Sequence, residues 1–371
     1  MKYYIIAGEA SGDLHASNLM YALRNEDPEA DFRFWGGDMM QAAGGTLVKH
    51  YKELAFMGFW EVFINLFTIL KNISFCKKDI RLFNPDTIIY VDYPGFNLRI
   101  AAWAKKKGFK NLYYISPQIW AWKENRISKI KRDLDALYVI LPFEEIYYKE
   151  KHNYNTIFVG NPLVDVIEDS LKEKNTFRAD QKLNSNVPII ALLPGSRKQE
   201  IIKMMPTFLN VIDRFPQYKF IIAASPGIDF DWYQQFLKGK PVLLVKNQTY
   251  SLLKNSYAAI VTSGTATLET ALFRVPQMVC YRSSFLSFQI AKRIITLPFI
   301  SLVNLIMDKE VVSEIIQNEF TVNRIENELK LITESDKRDK LLKAYDELHQ
   351  KLSTGGASKK TAIGIINFLQ N

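Results

Sequence analysis

Ile189-Ile190-Ala191-Leu192-Leu193-Pro194-Gly195-Ser196-Arg197 is an apolar run that ends in a glycine turn and opens into a helix-like stretch. Further along, Ala258-Ala259-Ile260-Val261 runs into Ser263-Gly264-Thr265-Ala266-Thr267-Leu268-Glu269 and repeats the pattern. Strand, glycine turn, then helix is how an α/β protein points backbone N–H groups at phosphate. One such turn alone reads as an ordinary strand-to-helix connection. Two in one half of the chain read as one nucleotide held from two sides. Arg197 brings a fork matched to diphosphate oxygens, with Ser196 beside it. Glu269 is an acceptor suited to a ribose hydroxyl pair.

Working outward, short apolar strands alternate with helix-like stretches along the whole chain. Expected strands are Lys2–Ala7, Phe32–Trp35, Thr87–Val91, Asn111–Ile115, Ala136–Ile140 and Thr156–Val159, then Ile189–Leu193, Phe220–Ala224, Val242–Val245, Ala258–Val261 and Met278–Tyr281. This alternation predicts parallel, doubly wound sheets. A polar stretch breaks it, so the expected layout is an N-terminal domain over 1–166, a linker over 167–187 and a nucleotide-binding domain over 188–335. Helices follow over 336–371, a tail that crosses back onto the first domain or swaps between two copies in a homodimer. The expected fold class is α/β, with two Rossmann-like domains facing a cleft.

At 371 residues the chain has ample core for two domains. Lys and Arg number 48 against 39 acids, a net charge of +9. That excess suits an anionic partner. A nucleic acid is set aside, because the basic residues are not interleaved with a recognised binding motif. Two cysteines, Cys76 and Cys280, speak for a reducing compartment rather than a disulfide framework. The four histidines show no metal-ligand spacing, and no metal is expected. The N-terminal apolar run is too short for a signal peptide, and no uncharged apolar run is long enough to span a bilayer.

Three motifs of the first half follow strands. Gly8-Glu9-Ala10-Ser11-Gly12-Asp13 is neither a dinucleotide fingerprint nor a phosphate-cradling loop. Ser11 misses the hydrolase elbow by one place. It reads as a site loop in which Ser11 or Asp13 caps a helix starting at Leu14. Val91-Asp92-Tyr93-Pro94-Gly95-Phe96-Asn97 places a carboxylate at a strand end. Asp92 is the best candidate for a general base, with Asn97 left to cap the next helix. Ser116-Pro117-Gln118-Ile119-Trp120-Ala121-Trp122-Lys123 puts two tryptophans on a loop, as faces for sugars or acyl chains or as a cover over the core. Lys123, Arg126, Lys129, Lys131 and Arg132 follow, a solvated face or a surface for anionic headgroups.

Taken in order, these motifs resemble the lipid-A-disaccharide synthase family. The likeness extends through Met57-Gly58-Phe59-Trp60-Glu61-Val62, Leu141-Pro142-Phe143-Glu144 and Tyr281-Arg282, across nearly the whole chain. Three departures stand out. Gly95 replaces an acid, Asn161 replaces the histidine of a G-H-P-L motif, and Val303 replaces a proline beside the retained Asn304.

The resemblance implies an inverting, metal-independent glycosyltransferase of the GT-B type that needs no cofactor. Its donor would be UDP-2,3-diacylglucosamine and its acceptor 2,3-diacylglucosamine 1-phosphate, giving a β(1→6) disaccharide. Asp92 would deprotonate the acceptor hydroxyl. Glu9, Ser11, Asn97, Trp120 and Trp122 would line the acceptor side. Ser196, Arg197, Gly264, Thr265, Glu269 and Asn304 would bind the nucleotide. Rival expectations are a soluble GT-B enzyme such as a UDP-N-acetylglucosamine epimerase, and a non-catalytic nucleotide-binding module at a membrane.

Acylated substrates imply work at the cytoplasmic surface of the bacterial inner membrane, as a peripheral protein. Phe59–Phe75 is the candidate docking helix. Phe59, Val62, Phe63, Leu66, Ile69, Leu70 and Ile73 form one face, and Trp60, Ile64 and Phe67 form an apolar strip beside it. Lys71, Lys77, Lys78 and Arg81 follow, and basic residues near an anionic surface add about 1 kcal/mol each.

Overall fold

The structure is a computed structural model that describes residues 1–54, 66–184, 186–237, 239–284, 288–289, 293 and 297–370. Its contacts divide the chain into two units, Met1–Pro162 with Leu352–Asn371 and Leu163–Lys351.

The first unit is built on seven parallel strands: β1 (Lys2–Ala7), β2 (Asp31–Gly36), β3 (Thr46–His50), β4 (Thr87–Val91), β5 (Lys110–Tyr114), β6 (Ala136–Val139) and β7 (Ile157–Phe158). Their order is β3-β2-β1-β4-β5-β6-β7. Every residue of β4 is buried, the mark of a strand covered on both faces. Alternate side chains therefore feed two cores. Tyr4, Ile6, Ile88 and Tyr90 pack with Cys76 and Ile80 of the helix Leu66–Phe83. Tyr3, Ile5, Ile89 and Val91 pack with Leu19 and Leu23 of the helix Ala10–Glu26, and with Ala362 and Ile365 of the helix Ala357–Gln370.

A second sheet of six parallel strands forms the core of the other unit: β8 (Ile189–Leu193), β9 (Lys219–Ala224), β10 (Leu243–Lys246), β11 (Ser256–Thr262), β12 (Gln277–Tyr281) and β13 (Glu314–Ile316). The order is β10-β9-β8-β11-β12-β13. Eleven of the thirteen strands fall where the apolar runs place them. β3 and β13 are the exceptions. Both are short edge strands, largely half-buried, and carry no continuous apolar run.

Two expected boundaries shift. The stretch 167–187, expected as the linker, carries most of the helix Pro162–Lys172 and all of Phe177–Asp180 and is grouped with the second unit. Leu163, Val164 and Ile167 are buried on one side of the first of these, an amphipathic stripe that the polar composition hides. The tail also divides. Lys337–Leu352 lies in the second unit up to Lys351, and Ala357–Gln370 completes the first.

The helix Leu66–Phe83 is fixed to the first sheet by Asp79. That carboxylate accepts from the Tyr4 hydroxyl at 2.8 Å and from both arms of Arg33 at 2.8 and 2.6 Å. Ile69 and Ile73 pack inward. Leu70, expected on that face, is exposed, and Phe67 is 86% exposed. Trp60 and Ile64 lie outside the described residues.

Candidate active site

Each sheet reverses its strand order once, between β1 and β4 in the first unit and between β8 and β11 in the second. The carboxyl ends of strands at such a reversal leave room for a ligand. Glu9 follows β1 and Asp92 follows β4. The Gly195–Arg197 turn follows β8, and the Ser263–Thr265 turn follows β11. Topology therefore gathers the motifs into one pair per unit.

After β4 the backbone turns left-handed at two successive residues, Asp92 (φ +46°) and Tyr93 (φ +50°). Aspartate tolerates this region better than most residues, and tyrosine poorly. Surrounding bonds hold the turn. The Asp92 carbonyl accepts from Asn97 Nδ2 at 2.7 Å and from the Tyr113 hydroxyl at 2.5 Å. The Tyr93 ring lies on Gly8 so closely that a Cβ there would come within 2.3 Å of it. Burial lifts the Asp92 carboxyl to about 6, and the neighbouring Glu9 carboxylate pushes the same way. The Tyr93 N–H and Arg126 pull it back, less strongly. A carboxylate poised near neutrality suits a general base.

The Ser11 and Asp13 capping expectation is corrected. The helix begins at Ala10 with Glu9 at its N-cap, so both residues sit inside the first turn. Ser11 is exposed there. Asp13 is buried and accepts from the backbone N–H groups of Gly37, Met39 and Met40 at 2.7, 3.1 and 3.1 Å. It caps the next helix, Asp38–Ala43, instead. Asn97 is likewise corrected. It is wholly buried and serves as a clamp on the Asp92 turn, its amide spent on backbone carbonyls.

The tryptophan loop is organised by Glu144, a buried carboxylate. It accepts from Ser116 Oγ at 2.6 Å, Trp120 Nε1 at 3.0 Å and the N–H groups of Ile140 and Leu141 at 3.2 and 3.0 Å. Burial pushes its carboxyl up, and these four donors oppose that. Trp120 stands edge-on to Phe143 at 4.9 Å, half-buried. Trp122 is the exposed member of the pair.

In the second unit, Arg197 projects into solvent, 66% exposed and 4.0 Å from Glu200. Glu200 Oε2 accepts from the N–H groups of Ser196 and Arg197, both at 3.3 Å. Gly195 (φ +116°) lets the turn pass close to that carboxylate, where a Cβ would come within 2.8 Å. At the other turn Gly264 adopts φ +151°, with open space where a Cβ would point. It is exposed with Thr265 at the start of the helix Thr265–Leu272. Glu269 accepts from Tyr250 at 2.8 Å through Oε1, and burial raises its carboxyl. Asn304 is corrected from nucleoside contact to internal brace. It is fully buried, donating to the Val312 carbonyl and Glu314 at 2.9 Å each and accepting from the Val311 and Val312 N–H groups at 2.8 and 2.9 Å.

Glu200, Tyr113 and the role of Glu144 escaped the sequence reading. Glu200 had a readable signal, an acid at the third position of its helix. Tyr113 had none, because a strand tyrosine reads as core.

Two parallel sheets, one with a carboxylate at its switch point and the other with two glycine turns, define a protein of the GT-B fold. UDP-GlcNAc 2-epimerase from Neisseria meningitidis, solved with UDP-GlcNAc, superimposes with a TM-score of 0.70 at 12% identity, covering 100% of both chains, a likeness of fold alone. The family model described as lipid-A-disaccharide synthetase matches residues 3–364. The lipid-A-disaccharide synthase of Syntrophus aciditrophicus (strain SB) is 37% identical over 374 residues, 99% of this chain and 97% of the relative. That of Geobacter metallireducens (strain ATCC 53774 / DSM 7210 / GS-15) is 37% identical over 369 residues, 98% of this chain and 95% of the relative. The chain belongs to the lipid-A-disaccharide synthase family and is a glycosyltransferase of lipid A biosynthesis.

Proposed function

We propose that the protein transfers 2,3-diacylglucosamine from UDP to the 6-hydroxyl of 2,3-diacylglucosamine 1-phosphate. Asp92 takes the hydroxyl proton as the acceptor oxygen attacks the anomeric carbon. The bond from that carbon to the UDP oxygen breaks on the opposite face, and UDP leaves with the electron pair. An α-linked donor thereby gives a β(1→6) product. Arg197 and the N–H groups of Gly264 and Thr265 carry the diphosphate charge. Glu269 takes the ribose hydroxyls through Oε2, which has no hydrogen-bond partner among the described residues. The observation that carries this reading is the Asp92 carboxyl, raised to about 6 at the switch point of the first sheet.

The test is an assay of the purified protein with both acylated substrates, following disaccharide by mass and its linkage by NMR. A β-linked disaccharide plus UDP supports the reading. Epimerised donor without disaccharide assigns the fold to epimerase chemistry, and UDP binding without turnover leaves a binding module.

Peripheral membrane docking joins this reading through Phe67 and Leu70, apolar side chains exposed on the helix Leu66–Phe83. Among the described residues no helix is long and apolar enough to cross a membrane. Liposome flotation of wild type against Phe67→Ser tests it. Weaker flotation of the variant supports docking there, and equal partitioning removes it.

A further inference from the structure

Beside the Asp92 turn lies a cationic group that the transfer step does not use. Lys123 Nζ sits 4.2 Å from the centroid of the Trp122 ring, and the Arg126 guanidinium 5.4 Å from it. Two cations thus flank one exposed indole. Burial works against the charge of each, and at Lys123 the charge of Arg126 adds to it. Like charges drawn together need a reason.

Among the described residues no carboxylate is bonded to either cation, and the Asp92 charge reaches Arg126 only through space. Arg126 is half-buried, yet its guanidinium has no hydrogen-bond acceptor and no ion pair among the described residues. The neighbouring carboxylate, Glu124, pairs instead with Lys151 at 2.8 Å and lies 3.3 Å from His152 Nε2. Two other arginines of this unit are ion-paired, Arg33 with Asp79 and Arg132 with Asp133. An unmatched, partly desolvated guanidinium with a lysine and an aromatic face beside it is a receptor for a phosphomonoester. Asp92 lies close enough for the two charges to influence each other. A carboxylate that holds the acceptor's 6-hydroxyl leaves the sugar's far end, where the anomeric phosphate hangs, to be gripped by something else.

We propose that Arg126 and Lys123, set against Trp122, bind the anomeric phosphate of the acceptor. The inference rests on the synthase reading and adds the group that tells a phosphorylated acceptor from a bare one. The Trp122 ring covers the sugar or the first carbons of an acyl chain. The cations fix which end of the acceptor faces Asp92.

The experiment measures acceptor KM for wild type, Arg126→Ala and Arg126→Lys, using short-chain 2,3-diacylglucosamine 1-phosphate and its analogue without phosphate. Arg126→Ala is expected to raise KM for the phosphorylated acceptor about tenfold or more, as loss of a charge-assisted bond does. Donor KM stays unchanged, Arg126→Lys recovers part of the loss, and the two proteins match on the phosphate-free acceptor. An equal loss on both acceptors overturns the proposal, as does a loss confined to donor KM. Flotation on phosphatidylethanolamine vesicles containing phosphatidic acid separates a lipid headgroup from the substrate phosphate. Flotation lost in Arg126→Ala, with acceptor KM unchanged, overturns the proposal in favour of the headgroup. If wild type makes no disaccharide from either acceptor, the synthase reading has failed. Titration with glucosamine 1-phosphate then decides separately: binding lost in Arg126→Ala upholds the site, and equal binding removes it.

Discussion

The two switch points solve different problems with the same kind of strand end. After β4 the backbone is contorted through two left-handed residues so that one side chain is presented in a semi-buried place. After β11 the backbone is left open, with Gly264 exposed beside free space, and after β8 Glu200 takes the turn's N–H groups while the Arg197 side chain stands in solvent. In the proposed reaction one end serves proton transfer, which needs a particular pKa and pays for it in strain. The other serves a permanent anion, which needs fixed dipoles and an unburied cation. That proposal assigns chemistry and grip to different units.

The sharpest break of this comparison is Asp92→Asn. Turnover should fall by about 10²–10⁴-fold, the usual contribution of a general base, while UDP affinity measured by calorimetry stays near wild type. Stability should move the opposite way. The folded carboxyl titrates at about 6 against an ordinary 3.8, so folding favours its protonated form. Its contribution is therefore intact at low pH and lost as pH rises through about 6. Asparagine removes that loss, and thermal unfolding at pH 7.5 should show a variant more stable by up to roughly 3 kcal/mol. A variant that loses activity and stability together would mean that residue 92 is only a structural part.

Next comes Arg197→Ala, expected to weaken UDP binding by roughly 10–100-fold with no change in the pH profile. An unchanged UDP affinity would move the diphosphate elsewhere. Gly264→Ala should cost about tenfold in UDP affinity. A side chain has room there, but φ +151° strains any residue except glycine. The smallest effect is expected from Glu9→Gln. Activity should decline as pH falls through about 6, and removing the like charge shifts that limb to lower pH. A gain of roughly two- to threefold in kcat/KM near pH 5 fits one partly screened charge. A profile identical to wild type would remove Glu9 from the electrostatics of the turn.

How far the sequence could be read follows the range of the interactions. Strands such as Thr87–Val91 and Ile189–Leu193 were legible because burial on both faces demands an uninterrupted apolar run. The places of Asp92 and Arg197 just past strand ends were legible for the same reason, and their proposed roles rest on a polar residue there having few internal duties. Asn97 and Asn304 were misread because an asparagine near a turn looks the same whether its amide meets a ligand or a backbone. Only their buried carbonyl and N–H partners, in other segments of the chain, tell the two apart. Asp13 is a similar case, its partners lying 24 to 27 residues onward. Arg126 posed the reverse problem. In sequence it is one cation in a basic run, and only the turning of Glu124 toward Lys151 leaves it unmatched.

The return of Ala357–Gln370 to the first unit has a consequence for biosynthesis. Ala362 and Ile365 share a core with Tyr3, Ala16 and Leu19, and Gly364 lets that helix approach Tyr138 of β6 so closely that a Cβ would come within 2.9 Å of its ring. A ribosome therefore delivers the opening strands long before the helix that shelters them, with all of Leu163–Lys351 translated in between. The first unit therefore closes only after the second has been translated, and until then Tyr3, Ala16 and Leu19 lack that cover.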